Sequence, residues 1–289
     1  MKIEQTSRNV LTVRFSDISD GWEYWILLRS DAHHDHKRCN RQLEKRHLDM
    51  VVERNGMWFS FGDLFDAMQG RYDPRRSQDE IRSEDVVQDY YGSIVRHATE
   101  FYGPYARQCG LLARGNHESS TVKNVGTDLT SNLAFHLNSE YLVDDDYHIY
   151  TGCFGGWVRL MFTMYETTRR TLRLKYFHGA GGSVAPVTKG VIQTARQAAF
   201  LSNADIVING HNHQSYILPI ATERLNRSGR VERGIQWHGR IPGYKDEYGD
   251  GGDGYAVEKG YPPNPLGALW LHLVCEGKNI KHTLVPEIR

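Results

Sequence analysis

Seven side chains that could bind metal ions follow short apolar runs along this chain of 289 residues. They are the oxygen donors Asp31, Asp63 and Asn116 and the histidines His33, His178, His211 and His213. Mixed imidazole and carboxylate ligands suit manganese, iron or zinc and suit calcium poorly. One carboxylate can bridge two cations and hold them roughly 3.5–4 Å apart. The set therefore predicts a pair of divalent metal ions able to polarise a phosphoryl group.

Taken singly, these residues are weak indicators of a metal site. A lone His-x-His or Asp-x-His pair most often occurs by chance, on the surface or in the core, and is not a metal ligand. A Gly-Asp pair at a strand end is commonly just a turn, and Asn116 could serve a left-handed backbone position. The ordered set favours a metal site over those alternatives, because five separate motifs each come directly after an apolar run.

The apolar runs before the motifs are typical of buried strands. They cover residues 24–28, 57–61, 111–113, 172–177 and 206–208. Runs of this length, rich in branched and aromatic residues, favour strands over helices. Apolar residues at spacings of three and four predict helices over residues 40–54, 83–102 and 187–201. The alternation indicates an α/β layered domain, which places its ligand-bearing loops at the carboxyl ends of strands.

Composition sets broad limits on class and location. Hydrophobic residues at 39%, charged residues at 24% and zero net charge are ordinary for a globular chain and leave nucleic acid as a partner open. The chain contains no apolar run of 18 residues, so no membrane span is predicted, and its first residues lack the pattern of a signal peptide. The 4 scattered cysteines are typical of reduced thiols. We therefore expect a cytoplasmic protein without a membrane partner, and its oligomeric state stays open.

The chain shows no internal repeat and no clear linker. We expect one domain over residues 1–289, with a motif core over about 24–213 and C-terminal strands and a loop over 214–289. The glycine-rich stretch 240–265 favours a solvated loop between two C-terminal strands, with a lid over the site as the alternative.

The five motifs in order resemble the full signature of calcineurin-like metallophosphoesterases. They are Asp31-x-His33, Gly62-Asp63-x-x-Asp66, Gly115-Asn116-His117-Glu118, His178 and Gly210-His211-x-His213. The resemblance implies a four-layer sandwich, two mixed β-sheets packed face to face and flanked by helices. It also implies that one metal is held by Asp31, His33 and His213, that Asp63 bridges, and that the second is held by Asn116, His178 and His211. Manganese is the expected metal, with iron or zinc as alternatives.

The same resemblance implies hydrolysis by a metal-bound hydroxide. His117 matches the histidine that protonates the leaving oxygen or stabilises charge there, and Asp66 matches the acid that orients this histidine through a hydrogen bond. Glu118 is expected to be structural. Three further polar residues, His34, Asp35 and His36, extend the first motif, and we expect solvated loop residues there in preference to ligands or substrate contacts.

The motifs point to two kinds of phosphate ester. Residues 62–66 resemble double-strand-break-repair nucleases of the superfamily, and residues 210–213 fit its diesterase and nuclease branches. Residues 111–118 resemble serine/threonine protein phosphatases, whose arginine at the position of Arg114 binds substrate phosphate. Those phosphatases place Arg-Gly after the second aspartate, where this chain has Ala67 and Met68, and glycine where it has Ser30. The balance favours a phosphodiester substrate, with nucleic acid as the leading class.

Two alternatives to a phosphodiesterase stay open. A phosphomonoesterase is the first, and a metal-binding scaffold without activity is less favoured, because a scaffold needs no His117. Basic residues near the motifs could contact nucleic-acid phosphates alongside Tyr72, although solvated charged faces explain them equally well. These basic residues are Arg38, Arg41, Arg71, Arg75, Arg76, Arg169, Arg170 and Arg173.

Overall fold

Two mixed β-sheets form the centre of the molecule in a computed structural model, which describes residues 1–67, 80–143, 146–179, 190–226, 228–248 and 254–289. The seven-stranded sheet has the spatial order β1 (Lys2–Ser7), β2 (Val10–Ile18), β7 (Gly155–Met164), β8 (Thr168–Phe177), β9 (Ile206–Asn209), β11 (Val231–Arg240) and β10 (Tyr216–Leu225). The six-stranded sheet has the order β13 (Asn279–Ile288), β12 (Gly267–Glu276), β3 (Glu23–Arg29), β4 (Met57–Phe61), β5 (Cys109–Ala113) and β6 (Tyr150–Gly152).

Parallel pairing brings the ends of the motif-bearing strands to one edge of each sheet. In the six-stranded sheet β3, β4, β5 and β6 are mutually parallel, and in the other sheet β8 and β9 are parallel. The five strands predicted from the apolar runs are confirmed as β3, β4, β5, β8 and β9, and β4 agrees at both of its ends. All five run directly into the predicted ligands.

The two sheets pack face to face through an apolar core. Val13 and Leu160 from the seven-stranded sheet meet Ile26, Phe59 and Leu271 from the other, and each of these side chains is buried. Burial alternates along β7 because only one of its faces meets this core. Every residue of β4 and β5 is buried, because both faces of the six-stranded sheet are covered.

Within the described residues, six α-helices connect the strands. They are α1 (Arg41–Glu53), α2 (Tyr90–Tyr102), α3 (Asn116–Val125), α4 (Leu129–Tyr141), α5 (Val191–Phe200) and α6 (Tyr255–Glu258), with 3-10 turns at Ser83–Asp85 and Gly103–Gln108. The helix predicted over 40–54 is confirmed, and the side chain of Asn40 caps it by accepting from the N–H of Leu43 at 3.0 Å. In the part of the chain that the structure describes, no helix is long and apolar enough to cross a membrane.

The other two predicted helices have different limits. The pattern over 83–102 predicted one helix, but α2 begins only at Tyr90, because the side chain of Asp89 caps it there by accepting from the N–H of Gly92 at 3.1 Å. The prediction over 187–201 corresponds to α5, and residues 187–189 lie outside the described residues.

Helices pack against the outer face of each sheet, and over the seven-stranded sheet they cover only part of that face. Trp58 and Leu112 of the six-stranded sheet pack with Leu48 of α1, Tyr102 of α2 and Leu133 of α4 in one buried cluster. The other sheet contacts α5, where the amides of Gln197 and Asn209 exchange hydrogen bonds of 2.9 and 3.0 Å. The predicted α/β class, with two mixed sheets flanked by helices, is confirmed.

The stretch that follows β11 is only partly the solvated loop that composition favoured. It does connect strands β11 and β12, but residues 241–244 are buried. Ile241 donates its N–H to the carbonyl of Asn209 at 2.9 Å, and Tyr244 donates to the carbonyl of Asp31 at 3.0 Å. The solvated-loop prediction is wrong for this part, because apolar side chains and backbone pairing hold it against two of the motifs.

Candidate metal centre

The five motifs converge where their strands end. Asp31 donates its N–H to the carbonyl of Gly62 at 2.9 Å, which joins the first two motifs. Gly210 donates to the carbonyl of His178 at 2.7 Å, which joins the last two. The N–H of His117 reaches a carboxylate oxygen of Asp63 at 3.0 Å and brings in the third. The structure therefore gathers side chains that lie far apart in the sequence, such as His33 and His213, which are 180 residues apart.

Five of the predicted ligands have left-handed backbone conformations. Their φ angles are 53° at Asp31, 47° at His33, 48° at Asp63, 76° at His211 and 54° at His213. Such a conformation is uncommon outside glycine and costs of order 1–3 kcal/mol at each residue. It persists only where the surroundings enforce it, and its concentration on this set of residues is typical of a functional site.

Three predicted ligands of the first metal lie around one point. Nε2 of His33 is 3.3 Å from Nε2 of His213, and the latter is 3.5 Å from Oδ1 of Asp31. Nδ1 of His33 lies 2.6 Å from Oδ1 of Asp66, so its Nε2 is the ring atom that faces the other two ligands. Two imidazole nitrogens and one carboxylate oxygen thus form a partial shell for a cation.

The predicted ligands of the second metal form a similar group. Nε2 of His178 lies 3.0 Å from Oδ2 of Asp63 and 3.1 Å from Oδ1 of Asn116, and Nδ1 of His211 lies 2.7 Å from the same Asn116 oxygen. The other ring nitrogen of His178 lies 3.0 Å from the carbonyl of Phe61. A carbonyl can only accept, so Nδ1 carries the proton and Nε2 can act as a ligand.

Asp63 lies between the two groups. Its carboxylate comes within 4.8 Å of ligand atoms of His178 and His211, and a second such set joins it to His33 and His117. A carboxylate with imidazoles on both sides is placed as a bridging ligand would be.

The charges of this region favour a cation. Burial lowers the pKa of His178, but the carboxylates of Asp63 and Asp31 outweigh burial and raise it to about 10. Burial also raises the pKa of Asp63, yet His178 and His117 outweigh it and hold that pKa well below its usual range. Burial lowers the pKa of His213 to about 4, which leaves its ring neutral and able to ligate. The donor set therefore fits divalent metal ions, because the carboxylates that draw protons onto imidazoles would equally attract a cation.

The carboxylate of Asp66 and its main chain serve different histidines. Nδ1 of His117 is 2.5 Å from the carbonyl oxygen of Asp66, whereas Oδ1 of Asp66 is 4.0 Å from that ring atom and only 2.6 Å from Nδ1 of His33. The resemblance implied that the side chain of Asp66 orients His117. In the structure the carbonyl of Asp66 is the nearer group to His117, and its carboxylate lies closer to His33.

Arg114, for which the resemblance implied substrate binding, lies close to an acidic residue of this chain. Its guanidinium Nη1 lies 3.7 Å from Oδ2 of Asp128, the residue that caps α4, and the side chain is 28% exposed. Substrate binding by Arg114 stays a prediction.

Buried residues extend the first motif, contrary to expectation. His34, Asp35 and His36 are only 1%, 3% and 3% exposed, so the prediction of solvated loop residues is wrong. Asp35 accepts from the N–H groups of Asp66 and Ala67 at 2.6 and 2.9 Å. It thereby fixes the turn whose carbonyl holds His117, a role that spacing in the sequence does not signal.

The carboxylates of Asp35 and Glu118 accept further hydrogen bonds that hold the loops of the site in place. Asp35 also accepts from the hydroxyl of Tyr90 at 2.8 Å, which ties the turn to α2. Glu118 is fully buried and accepts from the N–H groups of Asp63, Phe65 and Gly115 at 3.1, 3.0 and 2.7 Å. This is the structural role expected for Glu118, since one carboxylate joins the second and third motifs.

The basic residues near the motifs are mostly engaged elsewhere. Arg41 donates to the carbonyl of His34 at 2.8 Å, and Arg173 lies 3.7 Å from Asp205. Arg169 and Arg170 follow the first residue of β8, at the end of the strand away from His178, and the strand places Arg169 about 30 Å from His178. Arg38 lies 3.6 Å from Glu80. The remaining ones, Arg71, Arg75 and Arg76, lie outside the described residues together with Tyr72.

Comparison with known proteins gives matches to solved structures alone: no protein-family model and no curated protein matches this chain. Vps29 from Entamoeba histolytica, complexed with zinc, is 11% identical with a TM-score of 0.35, over 91% of this chain and 98% of that one. A conserved protein of Streptococcus pneumoniae described as a predicted phosphoesterase is 12% identical with a TM-score of 0.33, over 92% and 90% of the two chains. The calcineurin-like phosphoesterase YfkN from Bacillus subtilis is 14% identical with a TM-score of 0.29, over 92% and 90%.

Proposed function

We propose that this chain is a phosphoesterase that works with two divalent metal ions and hydrolyses phosphodiesters. The observation that carries the proposal is the position of the Asp63 carboxylate, which lies within 4.8 Å of a ligand atom of His33 in one group and of His178 and His211 in another. The buried, strained loops that hold these residues support a site built for ions and not a chance gathering of polar groups.

The residues that would hold the ions follow from the two groups. Asp31, His33 and His213 would hold one, Asn116, His178 and His211 the other, with Asp63 shared. When bound, two such ions polarise the phosphoryl oxygens and lower the pKa of a water molecule toward neutrality. We propose manganese, with iron or zinc as alternatives, because imidazole and carboxylate together suit these metals.

His117 is placed to handle the proton of the leaving group. Its Nδ1 proton is held by the carbonyl of Asp66, so Nε2 is the atom that can give up or take a proton. Nε2 lies 3.8 Å from Oδ2 of Asp63, and the side chain is 12% exposed, so it borders the proposed metals and a bound ester could contact it. We propose that it donates a proton from Nε2 to the leaving oxygen.

The surroundings of Arg114 favour a diester over a monoester. A monoester dianion invites a clamp of arginines, whereas a diester has a single negative charge at phosphorus. Arg114 is drawn toward Asp128, and Ala67 stands where a phosphatase would have a second arginine. Nucleic acid is the substrate class that we propose first. A phosphomonoesterase is the second candidate, favoured by the partial exposure of Arg114.

A substrate panel tests the proposal. Hydrolysis of bis-nitrophenyl phosphate, nitrophenyl phosphate, single-stranded DNA and duplex DNA would be measured with manganese, after chelation and after manganese is restored. We expect the diester to exceed the monoester, strand cleavage to occur, and chelation to abolish both reversibly. Full activity of the metal-stripped protein would contradict the role of the ions. A strong monoester preference without strand cleavage would favour the phosphatase, and Arg114→Ala would then weaken monoester binding most.

A further inference from the structure

We propose that Lys245 is a substrate-binding residue of this site, whose ammonium group contacts the phosphate of the bound ester. The inference rests on the proposed function and adds a specificity-determining residue to it. Lys245 lies in the stretch after β11, well beyond the last of the five motifs, so nothing in the motif pattern indicates it.

The ammonium group lies beside the proposed metal centre. Nζ of Lys245 is 3.8 Å from Oδ1 of Asp66, and that same oxygen is 2.6 Å from Nδ1 of His33. Only one carboxylate therefore separates the cation from a predicted metal ligand. The carbonyl of Asp66 also holds His117, so Lys245 lies on the side of the site where the leaving group is expected.

The backbone before Lys245 is fixed against the first motif. Tyr244 donates its N–H to the carbonyl of Asp31 at 3.0 Å, and Lys245 itself forms a β-bridge with Cys39. A Cβ added at Gly243 would lie 2.7 Å from the carbonyl oxygen of Asp31 and 3.4 Å from Nδ1 of His213. The chain thus approaches the predicted ligands so closely that only glycine fits there, and the lysine is held in a defined position.

The side chain of Lys245 is mostly buried and remains charged. It is 13% exposed, with Nζ 3.2 Å from Oε1 of Glu247. Burial lowers its pKa, but Asp66 and Glu247 outweigh burial and raise the pKa above the ordinary value. Burying a lysine costs free energy, because the charge loses contact with water and the flexible side chain loses conformational freedom. An exposed ion pair contributes little to stability, so ion pairing by itself is a weak reason for this burial. A fixed cation that remains reachable at the edge of the site is well suited to an anionic ligand.

The chemistry of lysine matches a singly charged phosphate better than a dianion. An ammonium is a compact point charge, whereas the planar guanidinium of arginine binds two oxygens of a phosphate at once. Lys245 beside the proposed metals, with Arg114 turned to Asp128, is therefore the arrangement expected for a diester. The competing explanation is that Lys245 only neutralises Asp66 and Glu247.

Binding of inorganic phosphate separates the two explanations. The manganese-loaded protein and its Lys245→Met variant would be titrated with phosphate by calorimetry, and KM and kcat for bis-nitrophenyl phosphate would be measured in parallel. We expect phosphate affinity to fall about 10-fold or more, as for the loss of a hydrogen bond to a charged group. We also expect KM to rise with little change in kcat, because the contact exists before and during the reaction. Lys245→Arg should restore most of the affinity.

Lys175→Met is the matched control, since Lys175 is another partly buried lysine, with its ammonium 5.4 Å from the ring centre of Trp157. It should leave phosphate affinity unchanged. Normal phosphate affinity and normal KM in Lys245→Met would overturn the proposal. If that variant fails to fold or loses its metal ions, Glu247→Gln decides, because it keeps the ammonium and removes one competing acid. It should tighten phosphate binding, and unchanged or weaker binding would overturn the proposal.

The outcome for Lys245 is distinguishable from that for the proposed function. A wild-type protein that hydrolyses no ester, yet binds phosphate through Lys245, would contradict the phosphoesterase and leave the phosphate contact in place. If instead the wild-type protein hydrolyses diesters, and Lys245→Met leaves phosphate affinity and KM unchanged, the phosphate contact of Lys245 is contradicted and the phosphoesterase is not.

Discussion

Two buried clusters of ionisable side chains share the first motif loop. His33 belongs to the candidate metal centre, and the next residue, His34, belongs to a second cluster. We call this second cluster the arginine cluster; it consists of Arg29, His34, Cys39, Glu44 and Tyr102. Ligand atoms of three residues come within 4.8 Å of one another in both clusters. Proximity of suitable ligands therefore does not distinguish them.

The difference between the clusters is whether a protein cation pairs directly with a carboxylate of the ligand set. In the arginine cluster the guanidinium of Arg29 pairs with Glu44, and both side chains are fully buried. Burial raises the pKa of Glu44, but Arg29 and His34 outweigh it and hold that pKa well below its usual range. Arg29 also lies 5.2 Å from the ring centre of Trp58 and 5.1 Å from that of Tyr102. A metal ion would be repelled here, because the compensating charge is already in place.

In the metal centre the carboxylates have imidazoles and backbone N–H groups as their described partners. Asp31 accepts from the N–H of His211 at 2.9 Å, and Asp63 accepts from that of His117 at 3.0 Å. Protons on His178 and His33 balance negative charge of these carboxylates, and divalent ions bound there would replace those protons. The comparison indicates that buried carboxylates balanced only by exchangeable protons, more than ligand spacing, mark a metal site.

The largest effect is expected from removing the shared charge of the metal centre. Asp63→Asn should lose both bound metal and nearly all activity, because it lies between the two ligand groups. Asp66 lies next to His33 but is not itself a predicted metal ligand. Asp66→Asn should therefore lower activity only roughly 10–100-fold. Steady-state rates together with metal content by mass spectrometry check the pair. Equal losses in the two variants would remove the reason to treat Asp63 as a bridge.

A somewhat smaller loss is expected at His117. His117→Ala should keep both metal ions and slow turnover roughly 10²–10⁴-fold, the range of a general acid. The loss should shrink for esters with good leaving groups such as nitrophenolate, which need little protonation. Rates for leaving groups of graded pKa, with metal content as the control, provide the measurement. Loss of metal from this variant would instead make His117 a ligand.

Breaking the arginine cluster should affect stability and leave the metals in place. Glu44→Gln leaves Arg29 buried without its carboxylate, which should lower the free energy of unfolding by about 3–5 kcal/mol. Denaturant unfolding of the variant checks this, with metal content as the second readout. The double variant Arg29→Met with Glu44→Met should recover much of the stability, since neither charge is then buried alone. Loss of metal from folded Glu44→Gln would mean that the two clusters do not differ as described.

The sequence predicted the residues that precede and form the site better than those that support it. The apolar runs located β3, β4, β5, β8 and β9, because a buried strand needs a continuous run of apolar residues and its end is marked by polar ones. The predicted ligands were likewise found by chemical type and by their place directly after those strands.

The supporting residues come from contacts that no local pattern records. Asp35 fixes the turn at Asp66 through side-chain oxygens, and a surface aspartate would look the same in the sequence. Lys245 reaches the site because residues 241–244 pack against the first motif, and a glycine-rich stretch gives no sign of such packing. The start of α2 was misplaced for a local reason, since Asp89 caps the helix later than the acids of its apparent first turn suggest.

Anomalous diffraction at the manganese edge, from crystals grown with manganese, would show directly whether two metal ions bind at the candidate centre. We expect two peaks, one beside Asp31 and His213 and one beside His178 and His211, with the carboxylate of Asp63 between them. We expect no peak in the arginine cluster, although His34, Cys39 and Glu44 lie equally close together. A single peak, or a peak beside Glu44, would contradict the proposed pair of metal ions.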